Sequence, residues 1–156
     1  RMPGVFGLSF PIGMLDDDDI ARVREQVERW KSLRALQSTA SAALVSPQVD
    51  GTMSGPWDGT LLVSPDYDQA VLYAFQNDRD VTGATMRMRG LDRKFEYHVT
   101  SDQLGDIGVI TGASLMDDGL EVFAADDTRA QLITMTKVTP EEAARLRAAR
   151  TQLTSR

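Results

Sequence analysis

The sequence predicts a mainly β chain, an antiparallel β-sandwich preceded by one strand–helix unit. Two observations carry that reading. From Ala42 onward, short apolar runs recur at regular spacing, and the connections between them are dominated by turn-forming residues. Upstream, an apolar run punctuated by Gly and Pro feeds a segment whose apolar residues return every three or four positions.

Taken in order, Val5 to Ile12 in "RMPGVFGLSFPIGM" reads as a buried strand of a parallel sheet, because both faces are covered and alternation disappears. A helix follows in "LDDDDIARVREQVERWKSLRALQ". Ile20, Val23, Val27, Trp30, Leu33 and Leu36 share one face. Asp16 to Asp19 stand where an N-cap and the positive end of a helix dipole favour carboxylates. A lone strand–helix unit has no sheet to sit in, so it reads as the last piece of a larger α/β domain.

Eight strands are then expected: Ala42–Ser46, Thr60–Ser64, Ala70–Gln76, Thr85–Arg89, Phe95–Thr100, Gly108–Thr111, Leu120–Ala124 and Gln131–Lys137. Alternation of Met86 and Met88 with Thr85, Arg87 and Arg89 marks a sheet with one wet face. No helical crossover separates the strands, which argues against a parallel sheet. The tail opens with Thr139 as N-cap, Pro140 at the first helical position and two glutamates in the first turn. Its apolar face is alanine with Leu146 and Leu153, so a short, loosely docked, arginine-rich helix is expected.

Composition narrows the function. Seventeen Lys and Arg against 23 Asp and Glu give a net charge of −6, and the pI is near 4.7. That balance argues against duplex nucleic acid or an anionic membrane as partner, and leaves neutral ligands such as sugars open. No cysteine is present, which removes disulfides, thiolate metal sites and a cysteine nucleophile. The single histidine cannot build a His-based metal site alone. No apolar run approaches the roughly 20 residues of a membrane span. The chain opens on Arg1 rather than Met, which a tag scar, a processed precursor or a cut fragment would each explain.

No motif carries chemistry. Asp16–Asp19 read as capping residues rather than a cation loop, since calcium loops space their ligands alternately. The pairs at 117–118 and 126–127, with "GDIG" and "TGAS", read as turns. Ser9, Ser46 and Ser64 lie in no G-x-S-x-G context, and "GLSF" is not a phosphate loop. His98 reads as a solvent-side strand residue with no specific partner nearby in sequence. Trp57, in the Gly/Pro loop "GPWDG", is the one candidate substrate-binding residue, because an aromatic face suits the C–H side of a pyranose. Its plainer reading, which we favour, is a plug at the edge of the sandwich core. A glycosidase needs two facing carboxylic acids, and no such pair can be nominated.

The order of the pieces resembles the end of the catalytic barrel and the C-terminal domain of the bacterial α-galactosidases of glycoside hydrolase family thirty-six. "VFGLSFPIGMLDDDDIARVREQVERWKSLRALQ" resembles the final barrel strand and helix, with Gln26, Val27, Trp30, Lys31 and Arg34 on a Q-V-x-x-Y-K-x-x-R signature. Trp30 stands where the family usually has tyrosine. "LVSP", "SPDYDQAVLYAFQ", "MRMRGLDRKFEYHV", "GASLMDDGLEV" and "RAQLITMTKV" are similar to successive pieces of the family's C-terminal domain.

The resemblance implies residues 1–41 as the last unit of a (β/α)8 barrel, 42–138 as the sandwich and 139–156 as a helical tail. It implies a retaining exo-glycosidase parent with two catalytic aspartates on earlier barrel strands. No catalytic residue is therefore expected within this chain. No cofactor or metal is expected. The expected partners are the rest of the parent enzyme and further copies in a homo-oligomer, with no nucleic acid and no membrane, in a cytoplasmic setting. A free-standing carbohydrate- or protein-binding sandwich, with Trp57 as the sugar contact, is the alternative expectation.

Overall fold

The computed structural model of the chain describes residues 12–46, 55–124 and 128–154. The strand expected at Val5 to Ile12, Ser9, the "GLSF" stretch and the pair at 126–127 lie outside the described residues. The chain divides into two compact units, Arg1–Ala40 and Ser41–Arg156.

In the first unit, a short 3-10 turn (Ile12–Met14) leads into helix α1 (Asp17–Thr39). Asp16 is its N-cap, with Oδ1 accepting from the Asp19 N–H at 2.8 Å. The stripe expected from the three-four spacing is present: Leu33 and Leu36 are buried, while Ile20, Val23, Val27 and Trp30 are half-buried.

The second unit holds eight strands in two antiparallel sheets. They are β1 (Ser41–Leu44), β2 (Trp57–Val63), β3 (Gln69–Gln76), β4 (Gly83–Met86), β5 (Glu96–Ser101), β6 (Gly105–Thr111), β7 (Leu120–Phe123) and β8 (Ala130–Val138). Six form one sheet in the order β1-β2-β3-β8-β5-β6, and β4 pairs with β7 in a second. Between β6 and β7 lies helix α2 (Gly112–Asp117), and α3 (Pro140–Thr154) follows β8.

The period-2 pattern explains the core. Register aligns Leu61, Leu72 and Ile133 across β2, β3 and β8, with Ser101 of β5 continuing the row. A second row runs Val63, Ala70, Met135 and Val99. Against these rows pack Met86, Leu120 and Val122 of the small sheet, with Met88, Leu91 and Leu115. Gly59 lets the layers close: a Cβ there would fall 2.6 Å from Met86 Sδ and 2.9 Å from Val45 Cγ2. The opposite face of the large sheet is also apolar at its centre, where Leu62, Val71, Tyr73 and Leu132 are buried.

Three expectations need correction. Residues read as turns, "TGAS" and Asp117, form α2, with Thr111 capping the Ser114 N–H at 3.1 Å. Six residues leave no room for a visible helical period. Trp57 and Asp58, read as loop, open β2, where Trp57 pairs with Gln76. Finally, the tail helix is neither short nor loose. It runs 15 residues, buries Ala143 fully, lies against β6, β5 and β8, and ties Arg147 to Glu96.

The start of α3 is a capping box. The Thr139 hydroxyl accepts from the Glu142 N–H at 3.3 Å, and the Glu142 carboxylate accepts from the Thr139 N–H at 2.8 Å. That backbone bond, seconded by the Thr139 hydroxyl, holds the Glu142 carboxyl below its usual range. Thr139→Ala is expected to lower stability by about 1 kcal/mol, read as a lower urea midpoint. The part owed to Glu142 is present above the ordinary glutamate range and fades as pH falls through its depressed value. An unchanged midpoint would show that α3 does not unfold with the sandwich.

Candidate functional site

Trp57, the sequence's candidate for sugar contact, is 2% exposed and belongs to the core. Its indole N–H donates to the Val81 carbonyl at 2.8 Å. A ring so placed has its polar handle satisfied and presents no face to a ligand. The plug reading describes its position, set by β2 entering the sheet at that residue.

His98 has a carboxylate partner that sequence distance concealed. The β5–β6 hairpin brings Asp106 Oδ1 to 2.8 Å from His98 Nε2. The pair lies on the surface, and no nucleophile stands beside it, so it closes a hairpin rather than forming a reaction centre. Among the described residues, no group of three or more His, Asp or Glu side chains could hold a metal ion.

Two depressions open on the second unit. The larger, of about 790 Å³, lies between the β3, β5 and β8 ends and the start of α3. Its charges are engaged with one another. Lys137 Nζ lies 3.9 Å above the Phe95 ring and 2.9 Å from Asp68 Oδ1, Glu96 is paired with Arg147, and Glu142 serves the cap. Such a cleft stitches α3 to the sheet and keeps no group free for chemistry.

The smaller groove, of about 400 Å³, runs along β1 and is lined by Ser41, Ala42, Ala43, Val63, the Ser64–Tyr67 loop and Arg89. The loop "SPDYDQ" was legible as a turn, and its detail shows how firmly it is built. The Ser64 hydroxyl donates to Asp66 Oδ1 at 2.6 Å and accepts from the Gln69 N–H at 3.0 Å. Asp66 Oδ1 also accepts from the Asp68 N–H. These donors, the hydroxyl foremost, hold the Asp66 carboxyl below its usual range. The Tyr67 N–H donates to the Ser64 carbonyl at 3.0 Å, and the Tyr67 carbonyl accepts from the buried Tyr97 hydroxyl at 3.1 Å.

Held this way, Tyr67 takes φ +61°, a left-handed conformation that a tyrosine rarely adopts. Its ring is 44% exposed. Arg89, exposed on the same groove, has no hydrogen bond or ion pair among the described residues. Sequence reasoning passed over both residues. Neither a backbone conformation against propensity nor an unpaired cation leaves a mark in composition.

The geometry therefore describes a supporting sandwich without a reaction centre among its described residues, and the comparisons agree. Residues 57–135 match the sequence model of the Glycosyl hydrolase family 36 C-terminal domain. The chain belongs to this family. Within it, the chain is 30% identical over 139 residues to "Probable alpha-galactosidase C" of Aspergillus flavus, covering 87% of this chain and 17% of that protein. It is 32% identical over 123 residues to "Alpha-galactosidase C" of Emericella nidulans, covering 77% of this chain and 15% of that protein.

The fold agrees with a solved family 36 structure, the α-galactosidase AgaA from Geobacillus stearothermophilus. The TM-score is 0.72 at 22% identity, over 88% of this chain and 18% of that one. The chain thus spans about a sixth of the length of the relatives it matches, and the matched part is the C-terminal domain of family 36.

Proposed function

We propose that this chain is the C-terminal part of a retaining exo-α-galactosidase, and that its sandwich is a non-catalytic support for a catalytic barrel. The observation that carries this reading is the family 36 C-terminal match over residues 57–135, in a chain spanning about a sixth of relatives named as α-galactosidases. The Arg1–Ala40 unit then supplies the last strand and helix of the barrel, and α1 offers the amphipathic stripe such a helix needs. The catalytic aspartates belong to earlier barrel strands. The main partner of this chain is the remainder of that enzyme.

The test is direct. The reading frame upstream of Arg1 is expected to continue for several hundred codons. The protein it encodes is expected to hydrolyse p-nitrophenyl α-D-galactoside and release galactose from raffinose, while residues 1–156 alone show no turnover. A long parent protein without activity on either substrate overturns the proposal.

A further inference from the structure

Tyr67 is an expensive residue for its position. Glycine or asparagine adopts a left-handed backbone at much lower cost, and a strained conformation persists only where its surroundings over-determine it. Here they do: Ser64, Asp66 and the Tyr97 hydroxyl fix the loop from within and from below. What this construction achieves is the display of an aromatic ring, 44% exposed, at the wall of a groove of about 400 Å³. Strain invested in an exposed side chain contributes nothing to the core.

The groove's other chemistry points to the kind of ligand. Arg89 is the one cation among the lining residues, and it is exposed and unpaired among the described residues. A phosphate or carboxylate ligand calls for several convergent cations, whereas a single guanidinium is a fork of donors suited to sugar hydroxyls. An aromatic face complements the C–H face of a pyranose. The volume falls within the range of small-molecule sites, and the chain's net charge of −6 disfavours anions generally.

The geometry points to a saccharide subsite in this groove, with Tyr67 as stacking platform and Arg89 as hydroxyl donor. Its ligand class is a neutral α-galactosyl oligosaccharide, an assignment that rests on the glycosidase reading above. The subsite holds substrate without reacting with it.

The 156-residue chain, titrated with raffinose and followed by ¹H–¹³C and ¹H–¹⁵N NMR, tests this. Saturable shifts are expected at the Tyr67 ring and the Arg89 Nε–H. Tyr67→Gly removes the ring while relaxing the backbone, so its Tm should equal or exceed that of the unaltered chain. Its affinity should fall about ten-fold or more. Arg89→Ala should weaken binding in the same way.

Absence of saturable shifts overturns the subsite, as do shifts elsewhere that survive Tyr67→Gly. Equal affinity for maltose overturns the α-galactosyl class. An active parent enzyme with a silent groove sinks this inference alone. An inactive parent whose groove still takes raffinose sinks the enzymatic reading and leaves a saccharide site standing.

Discussion

Gly112→Ala is expected to destabilise the sandwich by about 3 kcal/mol, at the upper end of what overpacking costs. A Cβ at this position would lie 2.0 Å from the Asp92 carbonyl oxygen and 2.9 Å from its carbonyl carbon. The obstacle is backbone rather than the end of a flexible side chain, so no rotamer change relieves it. The backbone is also pinned. The Gly112 N–H donates to the Phe95 carbonyl at 2.8 Å, the Ala113 N–H to the Arg93 carbonyl at 3.2 Å, and Arg93 forms a two-bond ion pair with Asp117. Moving α2 aside therefore breaks its attachment to the 92–95 turn and withdraws the fully buried Leu115 from the core.

Urea unfolding followed by the fluorescence of Trp57, in a Trp30→Phe background, reads this out. Gly13→Ala is the control, since nothing lies within 4 Å of the added Cβ. Gly112→Ala and Gly13→Ala midpoints that coincide would falsify the close approach of α2 to the turn.

Much of this architecture was legible before any coordinate. The eight strands of the second unit were marked because alternation at Met86 and Met88, and turn-formers such as "SPDYDQ", are local signals read by local rules. The Asp16 and Thr139 caps were legible for the same reason. What escaped depended on residues distant in sequence or on conformations against preference. α2 has fewer than two turns and declares itself through Gly112 bonding to Phe95, not through periodicity. His98 met Asp106 only once a hairpin was folded. Trp57 looked exposed because Gly and Pro surround it, yet Gly59 is there to let Met86 and Val45 close over the sheet. Tyr67 was invisible because its backbone conformation is imposed by Tyr97, thirty positions away, against what tyrosine prefers.

Tyr97→Ala is expected to cost about 4 kcal/mol, within the range for deleting a buried aromatic, because the residue joins core and groove. Its side chain is fully buried, and its hydroxyl accepts from the Asp92 N–H at 3.3 Å while donating to the Tyr67 carbonyl. Tyr97→Phe keeps the ring and removes only those two bonds, so a cost of about 1 kcal/mol is expected. The gap between the two variants separates packing from hydrogen bonding; equal costs would show that the hydroxyl, not the ring, carries the effect.

The alkaline limb gives an independent reading. Burial, the largest influence, raises the Tyr97 hydroxyl above its usual 10.0. The folded state therefore holds this proton more tightly than the unfolded chain does. The associated stability is full below pH 10 and is lost as pH rises through the elevated value. The urea midpoint of the unaltered chain should fall across that window, and fall less in Tyr97→Phe. Because the same hydroxyl holds the Tyr67 carbonyl, Tyr97→Phe should also broaden the Tyr67 ring signals while leaving the Trp57 environment unchanged. A fold that kept Tyr67 sharply ordered without this bond would place the source of its strained display elsewhere in the loop, in the Ser64–Asp66 network.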